Sequence, residues 1–189
     1  MRHLAFHDTN IPGCFEVTSQ RMTDLRVSFT KIFHAERFVD AGLPERFGEW
    51  YHTFSTQHVL RGLHFQTPPV PQGKLVFCLA GAVLDVGVDI RVGSPTYGEH
   101  VAVELTAEEG NGLYLPPGLA HGYYVTSAEG AAMVYGATNV YSPEHDGGIS
   151  WDSAGVCWPS AEPVLSERDM MLPSLADYDS PFVYEGEGR

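Results

Sequence analysis

The stretch VLRGLHFQ (residues 59–66), followed by Lys74, places an arginine, a histidine and a lysine close together on a segment with the composition of a buried strand. Its leucines and phenylalanine gain free energy on burial, whereas Arg61 and His64 gain none unless they face an anionic or reactive group. A second segment, LYLPPGLAHGY (residues 113–123), repeats this combination of apolar residues and a histidine. Polar side chains embedded in apolar strands predict a pocket inside a barrel of strands.

The size and charge of the chain limit the kinds of protein it can be. Its 189 residues suffice for one well-buried core and are short for two, so we predict a single domain over residues 1–189. The formal net charge of −13 argues against nucleic acid and anionic membranes as partners. No apolar segment is long enough to span a membrane and no signal peptide is visible, which predicts a cytoplasmic protein.

Glycine and proline recur at short intervals, a spacing typical of many short strands. The predicted strands cover residues 14–18, 28–33, 49–55, 60–65, 74–80, 82–89, 99–105, 112–115, 121–125 and 131–138. Helical spacing is confined to residues 34–47, where Pro44 is expected to end or break the helix. Residues 159–189 are expected to wrap a finished core in short turns. We therefore predict an all-β domain of the double-sheet jelly-roll or barrel type, with short peripheral helices.

One motif in the second His-bearing segment is similar to that of a known fold. Gly110, Pro116, Gly118 and His121 follow a spacing that resembles the second motif of the cupin jelly roll, in which the histidine points into the barrel. Metal-binding cupins carry a His-x-His pair and a downstream Glu in their first motif, but here the pair is HFQ (residues 64–66). A divalent metal generally needs three or more good ligands, so we predict no metal. A core histidine with both ring nitrogens satisfied is the alternative for His121.

The sequence leaves two interpretations open for each of three polar side chains. His64 is either a core histidine or a general base whose second nitrogen is held by a carboxylate, for which Asp169 is the candidate. Tyr135 lies in an apolar strand, either as a packing residue or as a general acid. Lys74 begins a strand, either as a solvated end or as an ammonium that stabilises a developing oxyanion.

Taken in order, these segments resemble the dTDP-4-dehydrorhamnose 3,5-epimerase family, a cupin-fold group that acts on nucleotide sugars. The matching pieces are Lys74 and residues 59–66, 83–98, 113–122, 141–151, 158–159 and 165–169. The similarity runs from about Ile11 to Asp177. Each piece is weak alone, but all of them in the same order are specific.

The resemblance implies an isomerase that inverts C3, C5 or both of a nucleotide-linked 4-keto-6-deoxyhexose, in deoxysugar or polysaccharide biosynthesis. His64 would then remove a proton from carbon, with Asp169 as its partner. Lys74 would stabilise the enolate, and Tyr135 would return a proton from the opposite face. This chemistry needs neither a redox cofactor nor a metal.

The resemblance also implies a set of substrate-binding residues, namely Arg26, Phe29, Lys31, Glu49, Tyr51, Arg61, Gln66, Asp85, His121, Tyr141 and Arg168. Two stretches depart from the family pattern. Asp-x-Arg-Gly-x-Phe-x-Glu is here DLRVSFTK (residues 24–31), and Gln-x-Asn is here EWY (residues 49–51). Since these positions line the nucleotide end of the cleft in the family, the carrier remains open among dTDP, CDP and GDP.

The resemblance further implies a homodimer in which the strands around Phe15 and Phe29 pair with the partner's sheet. Three rival functions stay open. A 3,4-ketoisomerase would use protons on one face only, which Tyr135 opposite His64 argues against. A catalytically silent sugar-nucleotide-binding cupin would have no use for an acid and a base together. A metal-dependent cupin oxygenase is the third rival.

Overall fold

The computed structural model describes residues 4–25 and 28–186, and strands predominate in it. The strands are β1 (Leu4–Asp8), β2 (Phe15–Ser19), β3 (Met22–Thr23), β4 (Ser28–Phe29), β5 (Glu49–Ser55), β6 (Leu60–Gln66), β7 (Lys74–Ala80), β8 (Ala82–Asp89), β9 (His100–Thr106), β10 (Gly112–Leu115), β11 (Leu119–Val125), β12 (Ala131–Ala137) and β13 (Asp146–Gly148). One helix, α1 (Ala35–Asp40), and two 3₁₀ turns (Asp169–Met171 and Leu175–Asp177) complete the elements of the described residues.

The strands form two facing antiparallel sheets and a small ribbon. The six-stranded sheet has the order β1-β2-β10-β7-β12-β5, and the five-stranded sheet has the order β13-β6-β11-β8-β9. Strands β3 and β4 pair with each other. Apolar side chains of both sheets, such as Val76, Val83 and Met133, form one buried cluster between them. Alternate residues therefore point into this core, and the all-β, two-sheet prediction is confirmed.

Several predicted boundaries were wrong. Helical spacing extends over residues 34–47 and Pro44 was expected to end or break the helix, but α1 already ends at Asp40, because the chain turns at Gly42, whose φ of 72° suits glycine. The strand predicted over residues 28–33 shrinks to the two residues of β4. Strands β1, β3 and β13 were missed. Their short lengths and polar residues carry little periodic signal.

The expectation that the strand around Phe15 pairs with a partner's sheet was also wrong. Strand β2 is hydrogen-bonded to β1 on one edge and to β10 on the other, so this chain already occupies both of its edges. The free edges of the six-stranded sheet belong to β1 and β5.

No helix among the described residues is long and apolar enough to cross a membrane.

Two isolated bridges connect the C-terminal segment to the residues that precede β6 and follow β8. Val164 forms a parallel bridge with Val59, and Val183 forms one with Val92. These contacts return the chain to the start of β6, where Asp169 opens the first 3₁₀ turn. The segment therefore brings the Asp169 carboxylate to the VLRGLHFQ stretch, residues 59–66.

Two glycines let β6 and β11 approach closely beneath the site. A Cβ added at Gly122 would lie 2.5 Å from the carbonyl oxygen of Arg61, and one added at Gly62 would lie 2.6 Å from the Cα of Gly122. Both distances are shorter than real Cβ contacts, and Gly62 also has a φ of 127°. A side chain at either position would push the strands apart and displace Arg61 and His64.

A buried ion pair fixes the turn after β8. The carboxylate of Asp89 accepts hydrogen bonds from the Arg91 guanidinium at 2.7 and 2.8 Å, from Ser94 at 2.6 Å and from Thr96 at 2.8 Å. Burial alone would raise the pKa of Asp89, but these hydrogen bonds outweigh it and lower the pKa. The Arg91 guanidinium also lies over the ring of Tyr184, 4.9 Å from its centroid, and so ties down the C-terminal segment.

Replacing Asp89 by alanine is expected to destabilise the protein strongly at pH 7. The change leaves a buried guanidinium without its partner, which costs about 3–5 kcal/mol in the free energy of unfolding. Asp40→Ala is the matched control, because it breaks the exposed Arg37–Asp40 pair and costs less than about 1 kcal/mol. Urea unfolding measures both. Similar losses in the two variants would show that the Asp89 cluster is not a structural anchor.

Candidate active site

Two connected spaces lie at one end of the barrel. The outer cleft, about 420 Å³, is lined by Glu49, Tyr51, Arg61, His64, Phe65, Gln66, Gln72, Lys74, Tyr141, Asp146 and Arg168. The inner cavity, about 60 Å³, is lined by Tyr51, Arg61, His64, Lys74, His121, Tyr123 and Tyr135. Tyr51, Arg61, His64 and Lys74 border both spaces, so they stand where the cleft narrows into the cavity.

His64 and Asp169 form a close pair. The Nε2 atom of His64 lies 2.6 Å from an Oδ atom of Asp169, although the residues are 105 positions apart. Asp169 is almost fully buried, and its other oxygen accepts a longer hydrogen bond, 3.5 Å, from the backbone N–H of Gly62. A carboxylate can only accept, so Nε2 carries the hydrogen and Nδ1 keeps the lone pair. The pairing of His64 with Asp169, which their separation in the sequence could not establish, is therefore present in the structure.

The protonation states of His64 and Asp169 suit His64 to act as a general base. Burial lowers the pKa of His64 below its ordinary value of 6.5, and the neighbouring Asp169 opposes this only in part. Burial would raise the pKa of Asp169, but hydrogen bonds from His64 and Gly62 bring it below its ordinary value. The imidazole is therefore neutral and the carboxylate charged near pH 7, which leaves Nδ1 free to take up a proton.

The sequence left open whether Lys74 is a solvated strand end or an ammonium within the site. The structure excludes the solvated strand end. Lys74 is 8% exposed, and its Nζ donates a hydrogen bond to the carbonyl oxygen of His64 at 3.2 Å. Burial lowers its pKa to about 8, against the pull of the Asp146 and Asp85 carboxylates, which favour the charged form. Near neutral pH it presents an ammonium next to the imidazole.

Tyr135 reaches the inner cavity from the opposite sheet. It lies on β12 of the six-stranded sheet, whereas His64 lies on β6 of the five-stranded sheet. The side chain is 4% exposed, and burial raises its pKa well above 10. The phenol therefore keeps its proton near neutral pH and can donate it. A base and an acid thus flank the same small cavity.

His121 is held by Asp85. Its Nε2 lies 2.9 and 3.1 Å from the two carboxylate oxygens of Asp85, and both side chains are buried. Burial raises the pKa of Asp85, and the neighbouring His121 opposes this shift. The His121 ring lies edge-on to Tyr135, with centroids 6.0 Å apart. This pair shapes the floor of the inner cavity.

The outer cleft carries positive charge at its rim. Arg61 and Arg168 both line it, and Arg168 is paired with Asp146 at 2.9 Å. The hydroxyl of Tyr141 donates to the other oxygen of Asp146, also at 2.9 Å. Gln66 lines the cleft as well, and its Oε1 accepts the backbone N–H of Ser142 at 2.7 Å. Gln66 thereby holds the loop that carries Tyr141.

Two predicted substrate-binding residues, Phe29 and Lys31, are not among the side chains that line this site. Phe29 is half-exposed on the β3–β4 ribbon, and neither it nor Lys31 lines the outer cleft or the inner cavity. The ribbon pairs with neither large sheet, so nothing brings these side chains to the cleft of their own chain. Arg26 lies outside the described residues.

Sequence reasoning missed other side chains that line the site. Tyr123 is buried in the inner cavity, and its hydroxyl is hydrogen-bonded to Ser55 at 2.9 Å and Thr53 at 3.2 Å. Its signal was available, because Tyr123 follows His121 by two residues on one strand and so points to the same face. Gln72 and Asp146 lie in loop-rich stretches without such periodicity.

Within the described residues, no group of three or more His, Cys, Asp or Glu side chains is arranged to hold a metal ion.

Comparison with known proteins places this geometry in context. A family model described as dTDP-4-dehydrorhamnose 3,5-epimerase matches residues 8–177. A protein of that name from Sinorhizobium fredii is 41% identical over 187 residues, which cover 95% of this chain and 93% of that protein. The crystal structure of dTDP-6-deoxy-D-glucose-3,5-epimerase RmlC from Legionella pneumophila, in complex with dTDP-4-keto-L-rhamnose, matches with a TM-score of 0.91 and 36% identity, covering 96% of this chain and 100% of that one.

Another similar solved structure is described as an enzyme that inverts one centre instead of two. ChmJ, a 3'-monoepimerase from Streptomyces bikiniensis solved with dTDP-quinovose, matches with a TM-score of 0.84 and 32% identity, covering 90% of this chain and 87% of that one. Together these matches confirm the predicted cupin-type jelly roll and the predicted family resemblance. Relatives of this fold thus include enzymes described as inverting two centres and one described as inverting a single centre.

Proposed function

The chain belongs to the dTDP-4-dehydrorhamnose 3,5-epimerase family, and we propose that it inverts C3, C5 or both of a nucleotide-linked 4-keto-6-deoxyhexose. It is an isomerase of deoxysugar or polysaccharide biosynthesis. The observation that carries the proposal is the entry of His64 and Tyr135 into the inner cavity from opposite sheets. Inversion at carbon needs a base on one face and an acid on the other.

The first step is removal of a proton from carbon. The 4-keto group acidifies the hydrogens on C3 and C5, because the electron pair left behind is shared with the carbonyl oxygen as an enolate. Nδ1 of His64 takes the proton, and the nearby Asp169 carboxylate stabilises the imidazolium. The ammonium of Lys74, adjacent to His64, stabilises the negative charge on the enolate oxygen.

The second step is protonation of the enolate from its other face. Tyr135 lies across the cavity from His64 and holds its proton near neutral pH, so it can deliver that proton to the same carbon. Because the enolate is planar there, the new C–H bond forms opposite the broken one and the stereocentre inverts. A proton returned by His64 would restore the original configuration.

The remaining site residues are proposed to bind the substrate. Arg61 and Arg168 at the rim suit the diphosphate, and the exposed ring of Tyr141 suits stacking of the base. The hexose would fill the inner cavity near His121. The dTDP-linked sugar is the first carrier to test, since the relatives above are described with it. CDP and GDP remain alternatives.

We also propose that the protein is a homodimer. Phe29 and Lys31 lie away from their own cleft, so a substrate-binding role for them requires the cleft of a second copy. Strand β4 pairs only with β3, and β5 is the free edge of a sheet beside the cleft, so both can accept another strand. Cytoplasmic localisation stays a prediction.

The rival functions fit the geometry less well. A 3,4-ketoisomerase moves protons on one face, which gives Tyr135 no role on the sheet opposite His64. A silent binding protein has no need of a neutral imidazole paired with a buried carboxylate. The described residues carry no clustered ligand set of the kind a metal-dependent oxygenase uses.

Hydrogen exchange in D₂O tests the proposed function directly. With a dTDP-4-keto-6-deoxyhexose, the wild type should incorporate deuterium at C3, C5 or both, as mass spectrometry and NMR would reveal. His64→Asn should lower the exchange rate by about 10²–10⁴-fold, because it removes the base. Glu144→Gln, a change of an exposed carboxylate, is the control and should leave the rate unchanged. Wild-type exchange in His64→Asn would remove His64 from the mechanism.

Tyr135→Phe separates the two steps. The variant retains the base, so deuterium exchange at the acidic carbons should continue, whereas inversion should fall by about 10²-fold or more because the acid is gone. NMR of the recovered sugar measures label and configuration in one sample. Equal losses of exchange and inversion would place the acid elsewhere.

The pH dependence of kcat/KM should report His64 and Lys74. His64 acts as a neutral base, so activity should fall as the pH drops through its pKa, which lies below 6.5. Lys74 acts as a cation, so activity should also fall as the pH rises above about 8. Lys74→Arg keeps the charge at high pH, and whatever activity it retains should lack the alkaline decline. A wild-type rate that still rises at pH 9 would contradict the role of Lys74.

A further inference from the structure

The free-edge strand β5 lies directly against the proposed acid. Tyr51 on β5 is the registered cross-strand partner of Tyr135 on β12. Their rings are stacked, with centroids 4.7 Å apart and planes at 12°. From this contact we propose that Tyr51 is a positioning residue that holds the Tyr135 phenol in line with the enolate, and thereby decides whether proton removal ends in inversion. The inference rests on the proposed function.

The Tyr135 ring contacts a second aromatic ring besides that of Tyr51. The His121 ring meets it edge-on, with centroids 6.0 Å apart, and His121 is itself fixed by Asp85. Tyr51 covers a ring face with its own ring, which keeps the phenol from swinging away from the cavity. Removing that ring opens space on the face turned toward the outer cleft.

Tyr51 can influence the position of Tyr135 because it lies on an edge strand and borders the site. Strand β5 is bonded to β12 on one side only and has no second neighbour in the sheet. Tyr51 is 39% exposed and borders both the outer cleft and the inner cavity. The stack is therefore a contact between an interior strand, β12, which has a neighbour on each side, and an edge strand, β5. Tyr51 was expected at the nucleotide end of the cleft, but its ring reaches the proposed reaction centre.

Small displacements of Tyr135 change the fate of the enolate. Once His64 has taken the proton, the enolate either regains a proton from His64 on the same face or receives one from Tyr135 on the other. Solvent exchange of the His64 proton makes the first route visible as deuterium incorporation without inversion. A displacement of about 1 Å can slow a transfer by about 10²-fold, so a loosened phenol favours the first route.

The test is the ratio of deuterium exchange to inversion at each carbon, measured by NMR in D₂O for three proteins. Tyr51→Leu removes the aromatic stack and should raise the ratio about tenfold or more over the wild type. Tyr51→Phe keeps the stack and should hold the ratio within about twofold, even where its overall rate falls because the hydroxyl faces the cleft. An unchanged ratio in Tyr51→Leu, or an equal rise in Tyr51→Phe, overturns the inference.

Phe54→Leu is the matched control on the same strand. Its side chain is 64% exposed and lines neither space of the site, so it changes the bulk of β5 without touching Tyr135. Its ratio should equal that of the wild type, and a rise equal to that of Tyr51→Leu would assign the effect to general loosening of β5. The ratio compares two outcomes within one bound complex, so weaker substrate binding or lower stability does not move it. A wild type that neither exchanges nor inverts refutes the proposed function, whereas an active wild type with an unresponsive Tyr51→Leu refutes only the positioning role.

Discussion

The hydrogen bond between His64 and Asp169 joins strand β6 to the C-terminal segment, and the proposed chemistry depends on it. At 2.6 Å it fixes which ring nitrogen carries the hydrogen, which way the imidazole faces, and which carboxylate compensates its charge after proton transfer. The fold maintains it from both sides. The bridge between Val59 and Val164 holds the C-terminal segment beside β6, and the backbone N–H of Gly62 donates a hydrogen bond to the other carboxylate oxygen of Asp169 at 3.5 Å.

Burial determines the charge state of the whole site. It lowers the pKa of His64 and raises that of Tyr135, so the base is neutral and the acid keeps its proton near neutral pH. Burial also lowers the pKa of Lys74, but only to about 8, so its ammonium stays charged near neutral pH. An acidic protein with a net charge of −13 can still bind an anion here, because two of the nearby carboxylates are already paired with positively charged or hydrogen-bonding side chains. Asp169 faces His64, and Asp146 faces Arg168. The site thus presents Lys74 and Arg61 to the substrate.

The sequence predicted the barrel strands well and the connections between distant segments poorly. Strands β5, β7, β8 and β10 were predicted to the residue, because alternating apolar residues and flanking turn signals define them locally. Helix α1 was overextended, since residues 43–47 keep helical spacing after Gly42 has turned the chain. Proximity between residues 105 positions apart leaves no periodic trace, so the sequence offered Asp169 only as a candidate partner of His64 and the resemblance then implied the pairing. The stack of Tyr51 on Tyr135 follows from strand register, which the sequence did not supply.

The central claim is that His64 and Tyr135 act on opposite faces of one carbon, and a crystal structure with an unreactive dTDP-linked 6-deoxyhexose tests it most directly. The account predicts that Nδ1 of His64 and the Tyr135 hydroxyl each approach the same ring carbon, C3 or C5, to about 3–3.5 Å from opposite sides. The Lys74 ammonium should lie near the oxygen on C4. A complex in which either side chain points away from the hexose, or in which both contact one face, would contradict the account.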